Sequence, residues 1–163
     1  MWKKNGVIGL LLFFSLLIFG CGNSVRSGDH PEQSEDIHSQ SESPPPLELE
    51  IGDDTIRAFT WGYSWRYYDL KERSMVGIEA ETIAIQEMVN LEKARKVDRN
   101  ANTELEFGEP PLSYEVFVWD DAGNRNAFPG KFDLAKHEGK SIFEILAHWE
   151  QGDASYVFAL DVE

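Results

Sequence analysis

The chain has one cysteine among 163 residues. A single thiol excludes an intrachain disulfide, a cysteine-based metal centre and a dithiol redox pair. Basic residues are scarce as well: 15 Lys and Arg stand against 29 Asp and Glu, giving a formal charge of −14. Phosphate binding needs clustered Lys and Arg, so nucleic acid is excluded as a partner. The same acidity opposes adhesion of the protein surface to anionic lipid. Of the four histidines, His30 and His38 stand in a polar stretch without the companion ligands that a metal site requires. There is no glycine-rich phosphate loop, no dinucleotide fingerprint and no G-x-S-x-G nucleophile elbow. No cofactor is expected.

Long apolar runs are also nearly absent, and the one that occurs is at the N-terminus. Lys3 and Lys4 precede an apolar stretch from Val7 to Phe19, broken only by Gly9 and Ser15. This length suits a signal-peptide core of about 7–15 residues and falls short of the roughly 20 that a spanning helix needs. Ile18-Phe19-Gly20-Cys21 resembles the lipobox of bacterial lipoproteins, with an aliphatic residue three before the cysteine and a small one immediately before it. The resemblance implies diacylglyceryl transfer to Cys21, cleavage before it and an acylated mature N-terminus. Each buried CH₂ contributes about 0.8 kcal/mol, and two or three acyl chains convert marginal association into lasting attachment. Residues 1–20 are thus expected to be a signal peptide. Their removal takes Lys3 and Lys4 and no acid, moving the net charge from −14 to −16. The expected location is the outer face of the bacterial cytoplasmic membrane, with the membrane as partner through the lipid on Cys21.

Residues 21–46 follow as the lipidated cysteine and an acidic linker. Only Val25 and Ile37 are aliphatic between residues 22 and 46, while Ser, Glu, Asp, Gln and Pro dominate. Such a segment cannot bury enough apolar surface to offset its ordering entropy, so disorder is expected. Pro44-Pro45-Pro46 should be stiff and extended.

From residue 47 to 163 the periodicity is that of strands. Leu47-Glu48-Leu49-Glu50-Ile51 and Thr103-Glu104-Leu105-Glu106-Phe107 alternate strictly. Thr55 to Phe59, Tyr63 to Tyr68 and Tyr114 to Trp119 read as strands, the last followed by the hairpin signal Asp120-Asp121-Ala122-Gly123-Asn124. Lys131 to Leu134 is a short extended piece. Ser141 to Trp149 and Ala154 to Val162 form a closing hairpin in which Trp149, Tyr156 and Phe158 face inward. The span from Glu79 to Arg99 reads as an extended start followed by a loop or a single helical turn. About seven short strands without alternating helices predict an all-β fold, an antiparallel immunoglobulin-like β-sandwich after a signal peptide and a disordered linker.

Three stretches together resemble small, uncharacterised lipoproteins of Bacillus-type bacteria. They are Phe59-Thr60-Trp61-Gly62-Tyr63-Ser64-Trp65, Val116 to Gly123, and His148 to Phe158 with its W-x-x-G-x-A-x-Y-x-F pattern. The resemblance covers most of residues 47–163 and is weakest over Glu79 to Arg99. It implies an extracytoplasmic β-sandwich on a lipid anchor and supplies no activity.

Chemistry has few candidates. His148 lies on the polar face of its predicted strand, where a surface histidine is the plain reading. Asp120, Asp121 and Asn124 surround a glycine but lack the ligand series of a calcium loop. Trp61, Tyr63, Trp65 and Tyr67 alternate on one face of a regular strand, with Arg66 between them. Two readings stand side by side: this face builds the core, or Trp61, Tyr63, Trp65 and Arg66 line a cleft for a protein, peptide or glycan. In the second case Trp65 is expected to be the more exposed tryptophan, because the chain then enters the polar stretch Asp69 to Ser74. The functional expectation is a membrane-anchored, non-enzymatic binding module. The alternative is a protease-inhibitor-like module acting through an exposed loop, either Glu109-Pro110-Pro111 or Glu150 to Asp153.

Overall fold

The structure, a computed structural model, describes residues 41–163 except 81 and 121. The signal peptide, Cys21, His30, His38 and the linker up to residue 40 lie outside the described residues.

Among the described residues ten strands occur, in the order β1 (Leu47–Ile51), β2 (Asp54–Arg57), β3 (Phe59–Asp69), β4 (Ser74–Ala80), β5 (Arg95–Val97), β6 (Thr103–Phe107), β7 (Ser113–Trp119), β8 (Arg125–Ala127), β9 (Gly139–Trp149) and β10 (Gly152–Val162). A single helical turn, α1 (Ile85–Met88), and 3-10 turns at Leu91–Lys93 and Leu134–Lys136 complete the set. The strands form two sheets, a small one in the order β2-β1-β6 and a large one in the order β4-β3-β10-β9-β7-β8. All pairings are antiparallel except that of β5, which runs parallel to the end of β10. The two sheets pack face to face as an all-β sandwich, the class that the alternation predicts.

The main core lies between the sheets. Alternation puts Leu47, Leu49 and Ile51 of β1 on the inner face, opposite Phe143, Ile145, Ala147 and Trp149 of β9 and Tyr156, Phe158 and Leu160 of β10. A second, smaller cluster sits on the outer face of the large sheet. There Ile85 and Val89, with Met88 and Leu91 beside them, cover Ile142, Val157, Trp61 and Trp119. The Trp61 indole N–H donates to Ile83 O at 2.8 Å and ties this segment to β3.

The structure departs from the sequence expectations in three places. Residues 41–46, assigned to the linker, pack on the domain. The Trp65 indole donates to Ser41 O at 2.9 Å, the Tyr156 hydroxyl donates to Pro45 O, and Gly108 N donates to Pro46 O at 2.9 Å. The proline run supplies carbonyls to Tyr156 and Gly108, a role that its lack of N–H groups does not hinder. Next, Lys131 to Leu134 is not a strand. Asp133 accepts from Ala135 N and starts a 3-10 turn at Leu134 instead. Finally, β4, β5 and β8 were not foreseen.

The docked residues carry a prediction. A chain beginning at Leu47 leaves the buried Tyr156 hydroxyl and the Trp65 N–H without their acceptors. Orphaning a buried polar group costs about 1–3 kcal/mol, so the melting temperature should fall by roughly 5 °C or more relative to a chain beginning at Ser41. Equal melting temperatures would show that residues 41–46 contribute nothing.

Candidate functional site

The aromatic run of β3 does not form one face. Ser155 of β10 stands opposite Gly62, but Tyr156 stands opposite Thr60, so Trp61 is the extra residue of a β-bulge. The bulge turns Trp61 to the outer cluster while Tyr63 and Trp65 stay with the core between the sheets. Trp65 is only 1% exposed, against the expectation that it would be the more accessible tryptophan. It packs edge-to-face on Trp149 with ring centroids 5.6 Å apart. Trp61 is half-buried and meets Trp119 edge-to-face at 5.7 Å. Arg66 is exposed, its stem lying over Gly77 of β4. Trp61, Tyr63, Trp65 and Arg66 are therefore not assembled into a common cleft.

Sequence reasoning missed a charged cluster beside Trp61. Glu144, in the middle of β9, is 1% exposed. Its carboxylate accepts from the Trp119 indole at 2.9 Å, from the Ser155 hydroxyl at 3.0 Å, and from Arg125 Nε and Nη2 at 2.8 Å each. The Arg125 guanidinium also stacks over Phe117, 3.4 Å from the ring centroid. A buried carboxylate is tolerable when so fully bonded. Every oxygen is engaged, so the group pins β8 and β10 to β9 rather than offering a free base.

The other polar groups also have structural partners. His148 sits on the polar face as expected, with Nδ1 2.6 Å from Asp153 Oδ1. His137 Nε2 lies 2.8 Å from Ser141 Oγ, while burial lowers the imidazole pKa. The same hydroxyl donates to Lys140 O at 2.8 Å, so Ser141 accepts from the ring and is not poised as a nucleophile. Asp120 accepts from Ala122 N, Asn124 N and the Asn124 amide within its own turn, and these bonds hold its pKa below the ordinary value. Glu50, Glu104 and Glu106 bring carboxylate oxygens within 4.8 Å of one another on the exposed face of the small sheet.

A wide apolar groove lies elsewhere. It is a groove of about 700 Å³ lined by Leu105 and Phe107 of β6, Pro110, Pro111 and Leu112 of the following loop, and Tyr114 of β7, with Gly130 and Lys131 at its rim. β8 pairs only with Phe117–Trp119, so among the described residues the first half of β7 has no strand on that side. Phe107 packs against Tyr114 and Trp149, with ring centroids 5.9 Å away in both cases. Leu112 is 71% exposed and Tyr114 38%. A large apolar side chain left this bare beside a groove suits a binding surface better than a core edge. In the sequence this region shows as Glu109-Pro110-Pro111, one of the two candidate exposed loops.

Glu109-Pro110-Pro111 and Glu150 to Asp153 are each tied to the domain by a hydrogen bond. Glu109 O accepts from the Trp149 indole at 3.2 Å, and Gln151 O accepts from Arg66 N at 2.9 Å. Glu109, Pro110, Glu150 and Asp153 are nonetheless exposed.

No family model matches the chain, and no curated protein and no solved structure matches it.

Proposed function

We propose that the protein is a lipid-anchored lipoprotein on the outer face of the bacterial cytoplasmic membrane, and that its sandwich is a non-enzymatic binding module. The kinship with small lipoproteins of Bacillus-type bacteria is part of this reading. The lipobox-like sequence ending in Cys21 supports the anchor. The groove between β6 and β7, with Leu112 exposed on its wall, carries the binding half. Its occupant is an extracytoplasmic protein or peptide segment, since an apolar wall of Leu, Phe, Pro and Tyr favours apolar side chains. The full engagement of Glu144, Ser141 and His148 in structural bonds favours binding over catalysis.

Two outcomes are expected. Labelled fatty acid should be incorporated into the wild type and not into Cys21→Ala; unlabelled wild type would rule out the anchor. An apolar fluorescent dye should bind the native domain, and Leu112→Glu should abolish that binding while leaving the melting temperature within a degree or two. Substitutions at exposed positions usually stay within about 0.5 kcal/mol, so a loss of binding would report the groove and not unfolding. Undiminished dye binding by Leu112→Glu would place the apolar site elsewhere.

A further inference from the structure

β6 is an edge strand, and its backbone register says which groups it leaves open. Gly52 N donates to Asn102 O at 3.0 Å and Gly108 N donates to Pro46 O at 2.9 Å, at the two ends of the β1–β6 ladder. In an antiparallel pair, alternate residues turn their N–H and C=O groups toward the same neighbour. Glu104 and Glu106 share the parity of residues 102 and 108 and bond toward β1. Thr103, Leu105 and Phe107 therefore turn their backbone groups away from it, to the side where no strand lies among the described residues. That side is the groove, whose lining includes Leu105 and Phe107 themselves.

The small sheet has three strands where the large one has six in its main path, and the groove is where a fourth would lie. Exposed edges invite strand addition and are commonly guarded by charge. Here the guard has one sign. Glu106 stands opposite Glu48 and Glu104 opposite Glu50, and Arg57, opposite Glu48, is the only cation paired into this face by β2. Like charges directly opposite one another are destabilising. A second copy pairing through β6 would bring Glu104 and Glu106 of two chains together. The protein's own linker is acidic and nearly without aliphatic residues, so it matches neither the charges nor the groove.

We propose that β6 accepts an extended segment of a partner protein as a fourth strand of the small sheet, and that this segment alternates basic and apolar residues. The apolar residues enter the groove and the Lys or Arg residues lie beside Glu104 and Glu106, while the backbone groups of Thr103, Leu105 and Phe107 form the ladder. About five residues of partner would be engaged, the length of β6. This rests on the groove being the binding surface.

The test uses the mature lipoprotein in detergent micelles and an acetylated, amidated Lys-Val octapeptide of strict alternation. Its comparators are the Glu-Val octapeptide, a block peptide of four Lys and four Val, and the alternating peptide N-methylated at every second residue. The amides of Thr103, Leu105 and Phe107 should shift on saturable binding of the alternating basic peptide. Each comparator should bind at least tenfold more weakly, and added salt should weaken the basic peptide because the carboxylates are exposed. The double variant Glu104→Lys/Glu106→Lys, checked for an unchanged melting temperature, should prefer the Glu-Val peptide. An N-methylated peptide that binds as well as its parent, or shifts confined to other residues, would overturn strand addition. If Leu112→Glu still abolishes binding in that case, the groove survives as the site and only the mode is wrong. If Leu112→Glu binds dye and peptide as the wild type does, both readings fail.

Discussion

Gly152→Ala should unfold most of the protein, or force β10 away from β3. Gly152 has φ +149, and a Cβ placed there would lie 2.0 Å from the carbonyl oxygen of Ser64 and 3.2 Å from the Cα of Trp65. Backbone atoms of a paired strand cannot rotate aside as a flexible side chain can. Backbone strain of about 1–3 kcal/mol and overpacking of about 1–3 kcal/mol together give a loss on the order of 2–6 kcal/mol. Gly52→Ala is the control. Gly52 has φ +59, and a Cβ there would meet nothing within 4 Å, so only the backbone preference is lost. Urea unfolding of the two variants separates clash from strain, and a Gly152→Ala protein within 1 kcal/mol of wild type would mean that the β3–β10 approach is wrong.

Trp149→Ala should be comparably severe for a different reason. Trp149 is 7% exposed and joins Trp65, Phe107 and Tyr156 in edge-to-face contacts. Truncation leaves a void that these rings cannot collapse to fill, at a cost of about 3–5 kcal/mol. That is a large share of the roughly 5–15 kcal/mol that holds a typical domain together. It also frees Glu109 O and so loosens the loop that leads into the groove. Chemical denaturation should find a mostly unfolded or sharply weakened protein. Near-normal stability would contradict the inward register of the closing hairpin.

The strands legible in the sequence are those with one buried and one wet face. β1 and β6 were read with the boundaries observed, because Leu and Ile alternate with Glu in the first and Leu and Phe with Glu in the second. β7, β9 and β10 were found to within two residues at their starts. Strands that lack such contrast were missed. β8 is exposed at all three positions, β5 has a single half-buried residue, and β4 is an edge strand with Gly77 at its centre. Over Glu79 to Arg99 the expected extended start meets the end of β4 at Ala80, and α1 is the expected helical turn, though Ile85 itself is helical.

The aromatic segment failed for a sharper reason. Period-2 counting assumes a regular strand, and the bulge at Trp61 breaks the count between Gly62 and Thr60. Nothing in the order Trp-Gly-Tyr-Ser-Trp announces an extra residue. The groove was invisible for the complementary reason. Leu105, Phe107, Pro111 and Tyr114 look like ordinary strand and loop residues until two sheets of unequal width leave β6 and the start of β7 uncovered together. Glu144 reads in sequence as one more acid among 29, and only the approach of Arg125, Trp119 and Ser155 makes it a buried anchor.

The central claim is that this domain engages its partner through the groove between β6 and β7. Site-specific photo-crosslinking on intact cells tests it most directly. A photoreactive amino acid at Leu112, 71% exposed on the groove wall, is compared with one at Leu70, 63% exposed in the β3–β4 turn. The account predicts a discrete crosslinked product from position 112 that Glu104→Lys/Glu106→Lys weakens, and none from position 70. Equal products from both positions, or a product from position 70 alone, would contradict it.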